Sequence, residues 1–159
     1  MDIYLVRHAK AEPGVDDEMR ALTKGGRASA GRVAALLAAS GAAPVRTEYS
    51  PLVRAAQTAE IIAIELRSPL AEAKDLRPER PVTAVRERLL TEQPDSIMLV
   101  GHNPFMERLA SLLICEDPDA VTLSFHTASV ARLVPSGTGL GWRFACDWLI
   151  RPALVPSRS

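Results

Sequence analysis

No run of apolar residues in this chain of 159 approaches the roughly 20 needed to cross a bilayer, so no membrane span is expected. The N-terminus has no basic leader, and only a short apolar stretch precedes Arg7. A secretory signal is therefore not expected either. An excess of charge of one sign is also missing, since 19 Lys and Arg stand against 19 Asp and Glu. That balance argues against a nucleic-acid surface and makes any anion site a local one. Lysine is scarce, at 10, 24 and 74 only, so the basic set is mostly Arg. Cysteine is scarcer still. Cys115 and Cys146 lie in apolar surroundings and read as two buried thiols rather than as a disulfide or a metal site. With no leader, they point to a reducing, cytoplasmic setting. No solenoid repeat is visible. What is present, 47% apolar and 24% charged residues, is ordinary for a soluble globular protein. The length suits one domain with a real core, expected over 1–151, with a flexible tail over 152–159.

The stretch Tyr4-Leu5-Val6-Arg7-His8-Ala9-Lys10 organises the rest. Ile3 to Val6 reads as a buried strand, and it stops at an Arg-His pair. In open α/β sheets, ligands bind at the C-terminal edge of the strands. Arg offers a fork of donors suited to phosphate, and His a nucleophile or base near neutral pH.

A polar loop, Lys10 to Thr23, follows. Its acidic cluster Asp16-Asp17-Glu18 reads as solvated. Thr23 is placed to cap a helix running to about Ser40, where Gly41 ends it. Val45 to Tyr49 reads as a strand. Ser50-Pro51 then supplies an N-cap and a first helical residue for a helix with the stripe Leu52, Ala55, Ala56, Ala59, Ile62, Ala63, Leu66. Arg54 lies off that stripe in the first turn. The positive end of a helix dipole is a poor place for Arg unless an anion binds beside it. A short strand is expected near Leu70–Ala73 and a helix from Pro81 to Gln93. Ile97–Val100 reads as a central strand. It ends in Gly101-His102-Asn103-Pro104, which repeats the cap logic of Ser50-Pro51. Ala128–Val134 and Trp142–Ile150 form an expected antiparallel hairpin across the Gly-rich turn Ser136–Gly141. His126 receives no role. The fold class is α/β, three layers α/β/α, with a mainly parallel sheet and an antiparallel edge strand.

Strand-end turns thus present Arg7, His8, Arg54 and His102, and two of them launch helices whose free N–H groups attract anions. Two Arg, two His and two helix N-termini make a site for a tetrahedral dianion. The His residues have no Cys, Asp or Glu at ligand spacing, so neither a metal nor another cofactor is expected.

On these residues the sequence resembles the histidine phosphatase superfamily, with its phosphoglycerate mutase-like fold, and within it the small SixA-type phosphohistidine phosphatases. The matching pieces are Leu5-Val6-Arg7-His8, Arg20-Ala21-Leu22-Thr23, Ser50-Pro51-Leu52-Val53-Arg54-Ala55-Ala56-Gln57-Thr58 and Val100-Gly101-His102-Asn103-Pro104. One departure is Ala9, where the superfamily's commonest tripeptide has Gly. The resemblance implies that His8 is the nucleophile, that Arg7, Arg54 and His102 hold the phosphoryl oxygens, and that no metal takes part. A backbone carbonyl on the other ring nitrogen is expected to fix the His8 tautomer. For a general acid the first candidate is Asp75, the second Glu79. The short span 68–96 leaves little chain for a lid, so a shallow site is expected, suited to phosphohistidine on a partner protein, with phosphate as product. Two rivals stay open: a phosphomonoesterase for a small phosphorylated metabolite, and a non-catalytic phosphoprotein-binding module.

Overall fold

The computed structural model describes residues 1–136 and 143–155. One six-stranded sheet runs through it. The strands are β1 (Asp2–Arg7), β2 (Arg46–Tyr49), β3 (Leu70–Glu72), β4 (Ser96–Gly101), β5 (Val130–Ser136) and β6 (Arg143–Ile150). The helices are α1 (Lys24–Ala39), α2 (Val53–Leu66), α3 (Val82–Glu92) and α4 (Phe105–Cys115). The strand order is β3-β2-β4-β1-β5-β6, so the apolar runs of β1 and β4 lie at the centre. They pair in parallel from Asp2↔Ser96 to Arg7↔Gly101. The chain leaves β1 for β2, on the far side of β4, which opens a crevice at the β1–β4 strand ends.

Alternation along the central strands divides the core. Ile3, Leu5, Ile97 and Leu99 pack against Val85, Leu89, Leu109 and Leu113 of α3 and α4. Tyr4, Val6, Met98 and Val100 pack against Val33, Leu37, Ala59 and Ile62 of α1 and α2. A sheet covered on both faces reads as continuous apolar strands rather than alternating ones. This gives the three layers. β5 and β6 form the antiparallel hairpin at one edge, and β5 is the strand that runs against β1. The expected turn Ser136–Gly141, apart from Ser136, lies outside the described residues, as does Trp142.

Several local expectations need correction. α2 and α4 start later than the cap logic suggests, with Leu52 and Pro104 at the N-cap positions and no side-chain cap. Ser50 and Asn103 hold other partners: the Ser50 hydroxyl meets His102, and the Asn103 amide donates to Glu107 Oε1 and Phe125 O. Cys115 is half-buried and Cys146 exposed, and both are free thiols. Cys146 lies in an exposed run of the edge strand, Ala145 to Asp147. Pro152–Leu154, placed in the expected tail, forms a short 3-10 turn with Pro152 buried. Residues 156–159 lie outside the description.

Thr23 caps α1 as expected, its Oγ1 accepting from Gly26 N–H at 2.8 Å. A Cβ at Gly26 would lie 2.1 Å from the Lys10 carbonyl oxygen. The helix therefore rests directly on the backbone that follows His8, and only glycine allows that approach.

Candidate active site

β1 delivers Arg7 and His8 to the C-terminal edge of the sheet. β4 delivers His102 next to it, and α2 brings Arg54 in from the side. The His8 N–H donates to Gly101 O at 2.9 Å, and the Ala128 N–H reaches both Arg7 O and His8 O at 3.1 Å. The main chain at His8 is thus held by the end of β4 on one side and by the turn before β5 on the other. Ala9, the departure from the commonest family pattern, is fully buried and packs with Leu22, Ala30 and Ala128. A methyl group fits there because apolar side chains surround it. The Ala9 N–H donates to Thr58 Oγ1 at 3.0 Å, and that hydroxyl donates to Arg54 O at 2.7 Å. Thr58 therefore fastens the strand end that bears His8 to the helix that bears Arg54.

The His8 and His102 rings stand 4.9 Å apart, centroid to centroid. His8 Nδ1 lies 2.8 Å from Ala9 O, and Arg54 Nε donates to His8 Nε2 at 3.3 Å. A carbonyl can only accept and an Arg Nε–H can only donate. Both contacts therefore require one tautomer, with the hydrogen on Nδ1 and the lone pair on Nε2. Burial pushes the His8 pKa down to about 4, against an opposing backbone hydrogen bond from Ala9 and with help from the Arg54, Arg7 and Arg20 charges. His102 is pushed down to about 3, chiefly by burial and then by His8 and Arg54. Both rings are neutral at pH 7.

Arg7 Nη1 donates to Phe125 O at 2.7 Å, which aims the guanidinium. Among the described residues its Nε is buried with no partner, and so is Nδ1 of His102. Leaving a buried polar nitrogen unpaired costs about 1–3 kcal/mol, and a ligand is one way to recover that cost. Arg54 is only 6% exposed. Its counter-anion in the structure is Asp17: Nη2 meets Asp17 Oδ2 at 3.0 Å, and Nη1 donates to Asp17 O at 2.6 Å. The acidic cluster is therefore not simply solvated. The expectation of free N–H groups at α2 also needs correction, because the Val53 N–H already donates to Glu18 O at 3.0 Å.

The four residues Arg7, His8, Arg54 and His102 come together. The two acid candidates do not join them. Asp75 sits in a 3-10 turn, Lys74–Leu76, after β3, which is separated from β1 by β2 and β4. Its carboxylate is held by Arg88 Nε at 2.8 Å, and Arg88 also grips the buried Glu48 at 2.7 Å. Glu79 is exposed and lies 3.8 Å from Arg77. Neither carboxylate has a hydrogen bond to His8 or His102 among the described residues. Sequence reasoning missed Asp17, Ser50 and Thr58 as partners of the cluster. Ser50 and Thr58 lay within a motif already singled out, and their hydroxyls were the available signal.

Comparison with known proteins fits this geometry. Residues 3–80 match the model of the histidine phosphatase superfamily, branch 1. Among solved structures, the protein histidine phosphatase SixA in complex with tungstate is 24% identical, with a TM-score of 0.84 over 96% of this chain and 98% of that one. A protein of Agrobacterium tumefaciens named as a phosphohistidine phosphatase, SixA, is 28% identical, with a TM-score of 0.77 over 95% and 97%. The alpha-ribazole phosphatase of Shigella flexneri has the same fold, with a TM-score of 0.74 at 16% identity over 96% and 97%. No curated protein sequence matches the chain. The strand-end Arg-His pair lies in a segment that matches the histidine phosphatase superfamily, and the shared fold extends that similarity over nearly the whole chain.

Proposed function

We propose that this protein is a phosphatase that removes the phosphoryl group from phosphohistidine on a partner protein, through a covalent intermediate on His8. The observation that carries the proposal is the state of the His8 ring. Nδ1 is tied to Ala9 O, and Nε2 keeps its lone pair among cations. The Nε2 lone pair attacks phosphorus while the P–N bond to the substrate imidazole breaks. The departing nitrogen takes a proton from solvent. Water then attacks the phosphorus on His8, phosphate leaves, and Nε2 regains its lone pair.

In both steps charge spreads over the phosphoryl oxygens, so positioned donors lower the barrier. Arg54 Nε, Arg7 Nε and His102 Nδ1 are the donors. Ser50 lies 2.9 Å from His102 Nε2. With its hydroxyl donating there, the hydrogen on His102 sits at Nδ1, the atom without a partner. The chemistry routes no step through a metal.

Support for phosphohistidine over an alkyl phosphate comes from Asp75. A carboxylate committed to Arg88 does not protonate an alkoxide at the His8 site, whereas a departing imidazole can draw its proton from water. The short connections around the site and the SixA neighbours favour the same substrate class. The test is to incubate the pure protein with a phosphohistidine peptide and, separately, with a panel of phosphorylated metabolites. Release of phosphate from the peptide at a kcat/KM well above every metabolite is the expected result. A metabolite turned over faster than the peptide would move the assignment to small-molecule phosphatases. No turnover of either would leave the phosphoprotein-binding module as the better description.

A further inference from the structure

The segment between the β1 strand end and α1 folds back over the first turn of α2. The Glu18 carbonyl takes the Val53 N–H, and the Glu18 carboxylate pairs with Arg77 at 2.7 Å. Next to this doubly anchored residue, the Asp17 carbonyl and carboxylate both face Arg54. The other carboxylate oxygen of Asp17 meets Arg20 Nη1 at 2.9 Å, and Arg20 Nε is tied to Glu12 O at 2.7 Å. Arg54 thus has a braced acceptor pair against its end.

A guanidinium presents five N–H donors in one plane. Asp17 engages Nη1 and Nη2, the end of the fork, and leaves the Nε side turned toward His8 Nε2 at 3.3 Å. We propose that Asp17 is a positioning residue for the reaction: it fixes the Arg54 guanidinium from behind so that the Nε side meets the phosphoryl group being transferred to His8. This rests on the function proposed above. Asp17 does not occupy the space between Arg54 Nε and His8, so it supports the anion site without blocking it. It is 62% exposed at the side chain, so its charge is screened. Its main effect is therefore on geometry rather than on the net field.

The test is a double-mutant cycle read by two measurements. Inorganic phosphate affinity is measured by calorimetry, and kcat and KM with a phosphohistidine peptide. Asp17→Ala should weaken phosphate binding and lower kcat by about tenfold or more, the scale of one lost positioned contact, with the melting temperature little changed. Asp17→Asn, which keeps one acceptor oxygen, should recover part of the loss. In an Arg54→Ala background, Asp17→Ala should have no further effect, because coupled residues are non-additive. Equal losses with and without Arg54 would overturn the proposal. Tighter phosphate binding by Asp17→Ala would also overturn it, since Asp17 would then be a competitor of phosphate. If Asp17→Ala does not fold, Asp17→Asn carries the cycle. The calorimetric arm decides the role of Asp17 even if the wild-type protein turns over no phosphohistidine, so failure of the two proposals can be told apart.

Discussion

The Ser50 hydroxyl lies 2.9 Å from His102 Nε2, and both residues are buried. Ser50 directly follows β2 and His102 directly follows β4, two strands that pair in parallel. Adjacent strand ends thus orient one another's side chains. Ser50→Ala should leave the His102 ring without an anchor. The expected loss is about 1–3 kcal/mol of positioning, roughly tenfold to a hundredfold in kcat. Ser50→Thr, which keeps the hydroxyl, should retain more activity. Steady-state kinetics of the two variants checks this, and equal activity of Ser50→Ala and wild type would remove Ser50 from the account.

The pH dependence follows from the buried imidazoles. His8 attacks only when neutral, and its pKa is pushed down to about 4. The acid limb of kcat/KM for free enzyme should therefore lie near pH 4, well below the ordinary imidazole value of 6.5. Stability moves in the same direction. Above pH 6.5 both rings are neutral whether folded or unfolded. As pH falls from there through about 4 for His8 and about 3 for His102, the unfolded chain binds protons first and stability is lost. His8→Ala should weaken that acid sensitivity. Denaturant midpoints from pH 7 to pH 4 for both proteins measure it.

Asp75 belongs to a network of charged side chains held together by Arg88. Arg88 joins it to Glu48, and Arg46 pairs with Glu48 and Glu92. Asp75→Asn should lower activity on a phosphohistidine peptide and on an alkyl phosphate by the same small factor. Arg88→Ala should destabilise the fold by about 1–3 kcal/mol, because the buried Glu48 loses a partner. Urea denaturation and paired rate measurements check both. A loss confined to the alkyl phosphate would restore Asp75 as a general acid.

The legible parts of this molecule are those written in short-range pattern. The apolar runs of β1 and β4, the Thr23 cap and the stripe of α2 all appear in consecutive residues, and so does the Arg-His pair at a strand end. The partnerships around the site were not legible in this way. Asp17 meets Arg54 across 37 positions, Ser50 meets His102 across 52, and Arg88 meets Glu48 across 40. Such pairs form only when the sheet order brings distant turns together. Cap chemistry misled for the same reason: Ser50 and Asn103 are good caps locally, but tertiary partners claim their side chains.

The most direct test of the account is the identity of the phosphorylated residue during turnover. A rapid-quench experiment with a 32P-labelled phosphohistidine peptide should trap label on the protein as an acid-labile, base-stable adduct, and peptide mapping should place it on His8. His8→Ala should form no adduct and lose essentially all turnover while keeping its melting temperature. Label on a serine, or near wild-type turnover by His8→Ala, would contradict the account.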